Sequence, residues 1–134
     1  MKKSGNREMR VETIVFEHQV LVFKVGISLE EDKDVKSAVI SAWKVDKTKA
    51  ANTEFILAVN RGVVVGVFYA TEWLPATPEN FPNSNTATNR WGFRGDVAPR
   101  EVVDLYFGKR LPDTMRLKGA ANPVKYAGPA NNDR

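Results

Sequence analysis

Arg90, Trp91 and Arg94 alternate through a short aromatic run, RWGFR, and Trp73 borders the same polar loop from its other end. A guanidinium grips phosphate through two parallel N–H bonds, and an indole face takes a base by stacking. Lys109, Arg110, Arg116 and Lys118 follow some fifteen residues on, where lysine acts as a point charge on an anion. Asn122 precedes Pro123, which forces it extended and can present its amide at a rim, a side chain suited to adenine edges; the plainer reading is a turn that opens a last strand. These nine residues form the candidate ligand-binding set. Their chemistry suits a nucleotide-type anion. The sequence leaves open whether Trp73 and Trp91 face that ligand or the core, and a fringe of arginines can also simply solvate a surface.

Catalytic chemistry is harder to find. The chain has one histidine and no cysteine, which removes thiol nucleophiles and cysteine zinc sites together. His18 sits between two apolar runs with only Glu17 beside it, and a turn histidine is the simpler reading. Glu30, Glu31, Asp32 and Asp34 at a helix start complement the macrodipole before they suggest a divalent ion. No P-loop, dinucleotide fingerprint or zinc spacing occurs, and neither a metal nor a cofactor is expected. The expectation is a protein that binds and does not catalyse.

The charge distribution agrees with that. The net charge is +4 over 134 residues, and residues 90–126 carry eight basic and four acidic side chains, which equals the whole formal excess. An anionic partner is favoured. Apolar residues at 43% and charged ones at 27% are globular values, so wholesale disorder is excluded. Nothing approaches a membrane-spanning run, and the start MKKSGNREMR lacks the apolar core of a signal peptide, which implies a soluble, cytoplasmic protein without membrane partners.

The elements that must position these residues follow from periodicity. Val11 to Glu17 and Val20 to Gly26 are β-branched and aromatic runs, expected as two strands or one hairpin. Ser28 and Glu31 fit a capping box before an apolar stripe ending at Trp43, so a helix is expected over 29–42, with Trp43 in the core. Lys44 to Thr53 suits a turn of helix. Glu54 to Val59 and Val63 to Trp73 flank Asn60-Arg61-Gly62 and are expected to form a hairpin, with Gly66 marking a bulge or a close backbone approach. A long loop over 74–89 leads to a strand at 90–97, a helix at 99–107 that starts at Pro99 and stops at Gly108, and a closing strand at 123–126. Residues 1–10 read as a flexible lead-in, 11–126 as a single domain, and 127–134 as a disordered tail. The expected fold class is α+β, a small mixed curled sheet or partial barrel with two short helices.

Three stretches resemble a known family. The Trp43-Lys44-Val45 step, the hairpin from Leu57 to Val64, and the block RWGF-x-G-x-VAP…Y-x-GK-x-LP…KGAANPVKY are similar to the accessory domain that follows the nuclease domain in the LEM-type branch of GIY-YIG proteins. The resemblance covers about residues 38–126. The nuclease strands themselves, with their catalytic tyrosine, arginine and glutamate, have no counterpart, so nuclease activity does not carry over. The order of strands and helices is in turn similar to PUA-like barrels, which read nucleic acids and modified bases, an analogy of fold alone.

The function expected from the sequence is therefore non-enzymatic recognition of a nucleotide-type anion, nucleic acid or a free or signalling nucleotide, through a basic, aromatic-edged pocket. A small binder of this kind could sequester a nucleotide signal, as in conflict between phage and host. The alternative is a protein–protein interaction module that could self-associate as a homo-oligomer, which an exposed apolar patch at Phe55, Phe68 or Trp73 would favour.

Overall fold

The structure, a computed structural model, describes residues 11–25, 43–82, 89–116 and 124–129. The lead-in, the helix expected over 29–42 and the tail beyond 129 lie outside the described residues. Five strands form one mixed sheet: β1 (Val20–Lys24), β2 (Phe55–Asn60), β3 (Val63–Pro75), β4 (Trp91–Val97) and β5 (Val124–Ala127), in spatial order β4-β3-β2-β1-β5. The sheet is not closed. Among the described residues, three short helical segments accompany it: α1 (Lys47–Ala51), α2 (Arg100–Tyr106) and α3 (Asp113–Arg116). The fold class is α+β, as the patterning implies.

The β1 and β2 strands are parallel neighbours at the sheet centre, with Leu21 opposite Ile56 and Phe23 opposite Ala58. Their sequences, VLVFK and FILAVN, are nearly continuous apolar runs because both of their faces are covered. Val20, Val22, Leu57 and Val59 point into one core, which Val102 and Tyr106 of α2, Leu111, and Ile14 and Phe16 close. Leu21, Phe23, Ile56 and Ala58 point into the other, with Phe68, Trp73, Phe93 and Ala50 of α1. On this second side the rings interlock: Phe23 stacks on Trp43 with centroids 4.1 Å apart and planes at 3°, and Trp73 meets Phe93 at 5.3 Å.

The hairpin forms where expected. Arg61 and Gly62 take φ of 55° and 82°, two positive values that give the mirror-image turn whose twist matches the strands it joins. Between β2 and β3 the register slips where Ala58 faces Gly66 and Val59 faces Val64, the bulge anticipated at Gly66. A second irregularity, between Ala70 and Glu72, bends β3 against β4.

One strand expectation is corrected. Residues 11–17 bury alternate side chains, Ile14 and Phe16, yet among the described residues they form no strand of the sheet, Thr13 making an isolated bridge to Arg110 in a loop. The Ile14 N–H donates to the Arg110 carbonyl at 2.8 Å and the Arg110 N–H to the Glu12 carbonyl at 2.9 Å, so this segment takes its backbone partners from the loop after α2. The β1 strand pairs with β2 and β5 instead. Alternation reports a half-buried extended chain and is silent on what that chain pairs with. The closing strand also runs to Ala127, and Gly128 is buried, so the ordered fold extends past the boundary expected at 126.

Candidate functional site

The long β3 strand decides where the candidate residues stand. Near its start, the Val64 N–H donates to the Lys109 carbonyl at 2.8 Å, and Val63 is bridged to Arg110. Near its end, Glu72 pairs with Arg94 and Pro75 with Trp91. Val64 and Glu72 are eight residues apart on one strand, which at the usual rise amounts to roughly 25 Å along the chain before its bends. Arg90, Trp91 and Arg94 are thus at one end of β3, and Lys109 and Arg110 at the other. The expected basic mouth does not gather all of these residues.

Individual environments sharpen that separation. Lys109 Nζ lies 3.7 Å from Glu12 Oε1, and Arg110 Nε donates to Thr13 Oγ1 at 3.4 Å, so both side chains fasten the 11–14 segment. Arg94 is exposed and its guanidinium donates to the Asn80 carbonyl at 3.5 Å, holding the start of the loop. It lies on the sheet face opposite Trp91 and Phe93, as alternation along β4 requires. Trp73, expected as a ligand contact, is 8% exposed and belongs to the second core. Its neighbour across the strand is Phe93, and an indole in that position packs where no ligand reaches. Arg116 lies on α3; Lys118 and Asn122 lie outside the described residues. The apolar patch that would favour an interaction module does not form at the named residues, because Phe68 is buried and Phe55 packs against the first core.

A different convergence is present. Residues 43–53 run as a strap across the second core. Trp43 and Trp91 exchange backbone hydrogen bonds of 2.9 and 2.8 Å, which fixes the strap to edge strand β4. Asp46 caps α1, its carboxylate accepting from the Lys49 N–H at 3.2 Å. The Asp46 N–H in turn donates to the Tyr126 hydroxyl at 3.0 Å, which fixes the strap to edge strand β5. A segment of KVDKTKAA composition thus ties both edges of the sheet and sets its lysines beside the edge-strand rings.

Two adjoining surface depressions meet there, of about 400 and 460 Å³, and both are lined by Lys49 and Tyr126. Gln19, Asn52 and Thr53 complete the first; Lys44 and Asp46 complete the second. Lys49 Nζ sits 5.6 Å from the Tyr126 ring centroid, and Lys47 Nζ 5.4 Å from that of Trp91, the geometry of a cation over an aromatic face. Both rings are half-buried. The Asp46 carboxylate opposes an anion, but its engagement as helix cap turns it toward the α1 backbone. The arrangement offers ammonium groups, an aromatic face and neutral amides around an open hollow, and no nucleophile with a paired base.

Sequence reasoning passed over Lys44, Lys47, Lys49 and Tyr126. The signal was present as three lysines in six residues, but only the tertiary fold sets them beside Trp91 and Tyr126. No family model, curated protein or solved structure matches this chain. Among the described residues, no helix is long and apolar enough to cross a membrane.

Proposed function

We propose that this domain is a non-enzymatic binding module for a nucleotide-type anion, with its site at the strap. The phosphate lies between Lys44 and Lys49, the base covers the Tyr126 ring, and the Gln19 and Asn52 amides meet the base edge. The observation that carries this reading is the lysine-over-ring contact of Lys49 on Tyr126 at the junction of the two depressions. Lysine supplies a mobile point charge, and a ring face accepts any base, so the two together recognise a base joined to a phosphate. His18, the sole histidine, is turned to a structural partner and supports no catalytic role.

The test is a thermal-shift and calorimetry panel of mononucleotides, nucleosides and inorganic phosphate. A ligand that binds the native state alone raises the melting temperature by mass action. Mononucleotides are expected to stabilise the fold more than either fragment, and Lys49→Gln to abolish that shift while leaving the unliganded melting temperature in place. No heat and no shift from any member of the panel at low salt would remove the reading.

A further inference from the structure

Resting on the strap as the nucleotide site, we infer that the base it selects is adenine, read by the Gln19 amide and the Thr53 hydroxyl. The antiparallel register places the amide. Val20 stands opposite Ala127 and Leu21 opposite Tyr126, so Gln19 comes opposite Gly128, one step further along. Tyr126 and Gly128 are two residues apart and share a face of the sheet, a separation of roughly 7 Å. Glycine leaves that place without a side chain and the Gln19 amide fills it, since a Cβ at Gly128 would fall on the amide's own atoms. The backbone of Gln19 is held as well, its N–H donating to the Glu54 carboxylate at 3.0 Å and its carbonyl accepting the Glu54 N–H at 2.6 Å. A carboxamide is thus seated in the same hollow as the ring on which the base stacks.

The polar groups of this hollow define what the base must offer. Gln19, Asn52 and Thr53 line it together with Lys49 and Tyr126, and among the described residues no carboxylate or guanidinium does. The Thr53 hydroxyl donates its proton to the Ala50 carbonyl at 2.7 Å, which leaves its oxygen to a ligand as an acceptor alone. An acceptor there favours an exocyclic amino group and repels a keto oxygen. A carboxamide presents a donor and an acceptor side by side, the pattern that pairs with the N6 amino group and N7 of adenine. One N6 proton goes to the Gln19 amide oxygen and the other to Thr53, while N7 accepts from the Gln19 amide N–H. Guanine carries a keto oxygen in place of that amino group, and cytosine has an amino group but no N7 beside it. The phosphate stays between Lys44 and Lys49, in the adjoining depression.

The experiment titrates the full chain with adenosine, inosine, guanosine and cytidine 5′-monophosphates, read by calorimetry. Inosine monophosphate exchanges the N6 amino group for a keto oxygen and keeps the purine ring and the phosphate. Adenosine monophosphate is therefore expected to bind about tenfold or more tighter than its inosine counterpart. Gln19→Leu and Thr53→Val each cut that ratio severalfold. Gly128→Ala, which displaces the Gln19 amide and leaves the lysines untouched, cuts it as well. Equal affinity for the adenosine and inosine ligands, tighter binding of guanosine or cytidine monophosphate, or an undiminished ratio in any of the three variants overturns the adenine site while the mononucleotide reading stands. No heat from any of the four ligands overturns that reading as well.

Discussion

The Tyr106 hydroxyl lies 2.8 Å from His18 Nδ1 and also accepts the Glu17 N–H at 2.9 Å. The phenol and the imidazole nitrogen share one hydrogen bond, whose donor is set by the histidine tautomer. His18 meets Phe55 edge-on at 4.9 Å and Tyr106 at 5.8 Å. One buried phenol at the end of α2 thereby sets the entry of the chain into β1, eighty-eight residues away in sequence from its histidine partner.

Removing that hydroxyl leaves the Glu17 N–H and the His18 Nδ1 without this partner in part-buried surroundings. Tyr106→Phe keeps the ring packing with Phe16 and is expected to cost about 1–3 kcal/mol. Urea denaturation with an unchanged m-value checks it. A change in stability within measurement error would show that water replaces the hydroxyl.

Burial raises the Tyr106 pKa above its ordinary value of 10.0, with the nearby carboxylates of Glu17 and Glu54 adding to the rise and the hydrogen bonds from the Glu17 and His18 backbones opposing it. A raised native pKa means that the unfolded chain releases its proton first as pH climbs. The stability tied to this group is complete below the unfolded value and declines as pH passes through that value toward the native one. Denaturation midpoints measured from about pH 8 to about pH 11, across the phenol range, are expected to fall at the alkaline end, and Tyr106→Phe to flatten the fall.

Gly95 and Gly128 separate two kinds of close approach. A Cβ at Gly95 would come within 1.8 Å of the Tyr69 carbonyl oxygen, which is backbone and cannot step aside without parting β3 from β4. At Gly128 the nearest atoms belong to the Gln19 side chain, at 2.4 Å, and that side chain can rotate. Gly95→Ala is expected to destabilise by about 3 kcal/mol or more, Gly128→Ala by less than about 1 kcal/mol. Thermal melts of the two variants side by side test the contrast.

Much of this architecture is legible in the chain. Asn60-Arg61-Gly62 announces its turn, Gly66 its bulge, and Val102 and Tyr106 the buried side of α2, because each depends on local geometry or on the periodicity of one element. Phe107, expected as the last residue of that helix, is 55% exposed, since α2 ends one residue before it. Pairing partners are another matter. The segment from Val11 to Glu17 alternates like a strand and bonds to a loop, and Arg90 and Lys109 lie near in sequence but on opposite ends of β3. Basic residues counted along the chain suggested one mouth; the length of a 13-residue strand divides them.

That division makes the last prediction the sharpest. Lys109 and Arg110 serve the 11–14 segment through Glu12 and Thr13, while Lys49 serves the depression at Tyr126. Exposed pairs of the former kind contribute little, so Lys109→Ala and Arg110→Ala are each expected to change stability by within about 0.5 kcal/mol. Nucleotide affinity in both should stay within about twofold of the parent, since neither side chain lines the depressions at Tyr126. Lys49→Gln alters binding and leaves folding alone. Calorimetric titration of the three variants with one mononucleotide distinguishes the strap from the C-terminal basic run, and a large loss in Arg110→Ala with none in Lys49→Gln would return the site to the end of β3 where the sequence first suggested it.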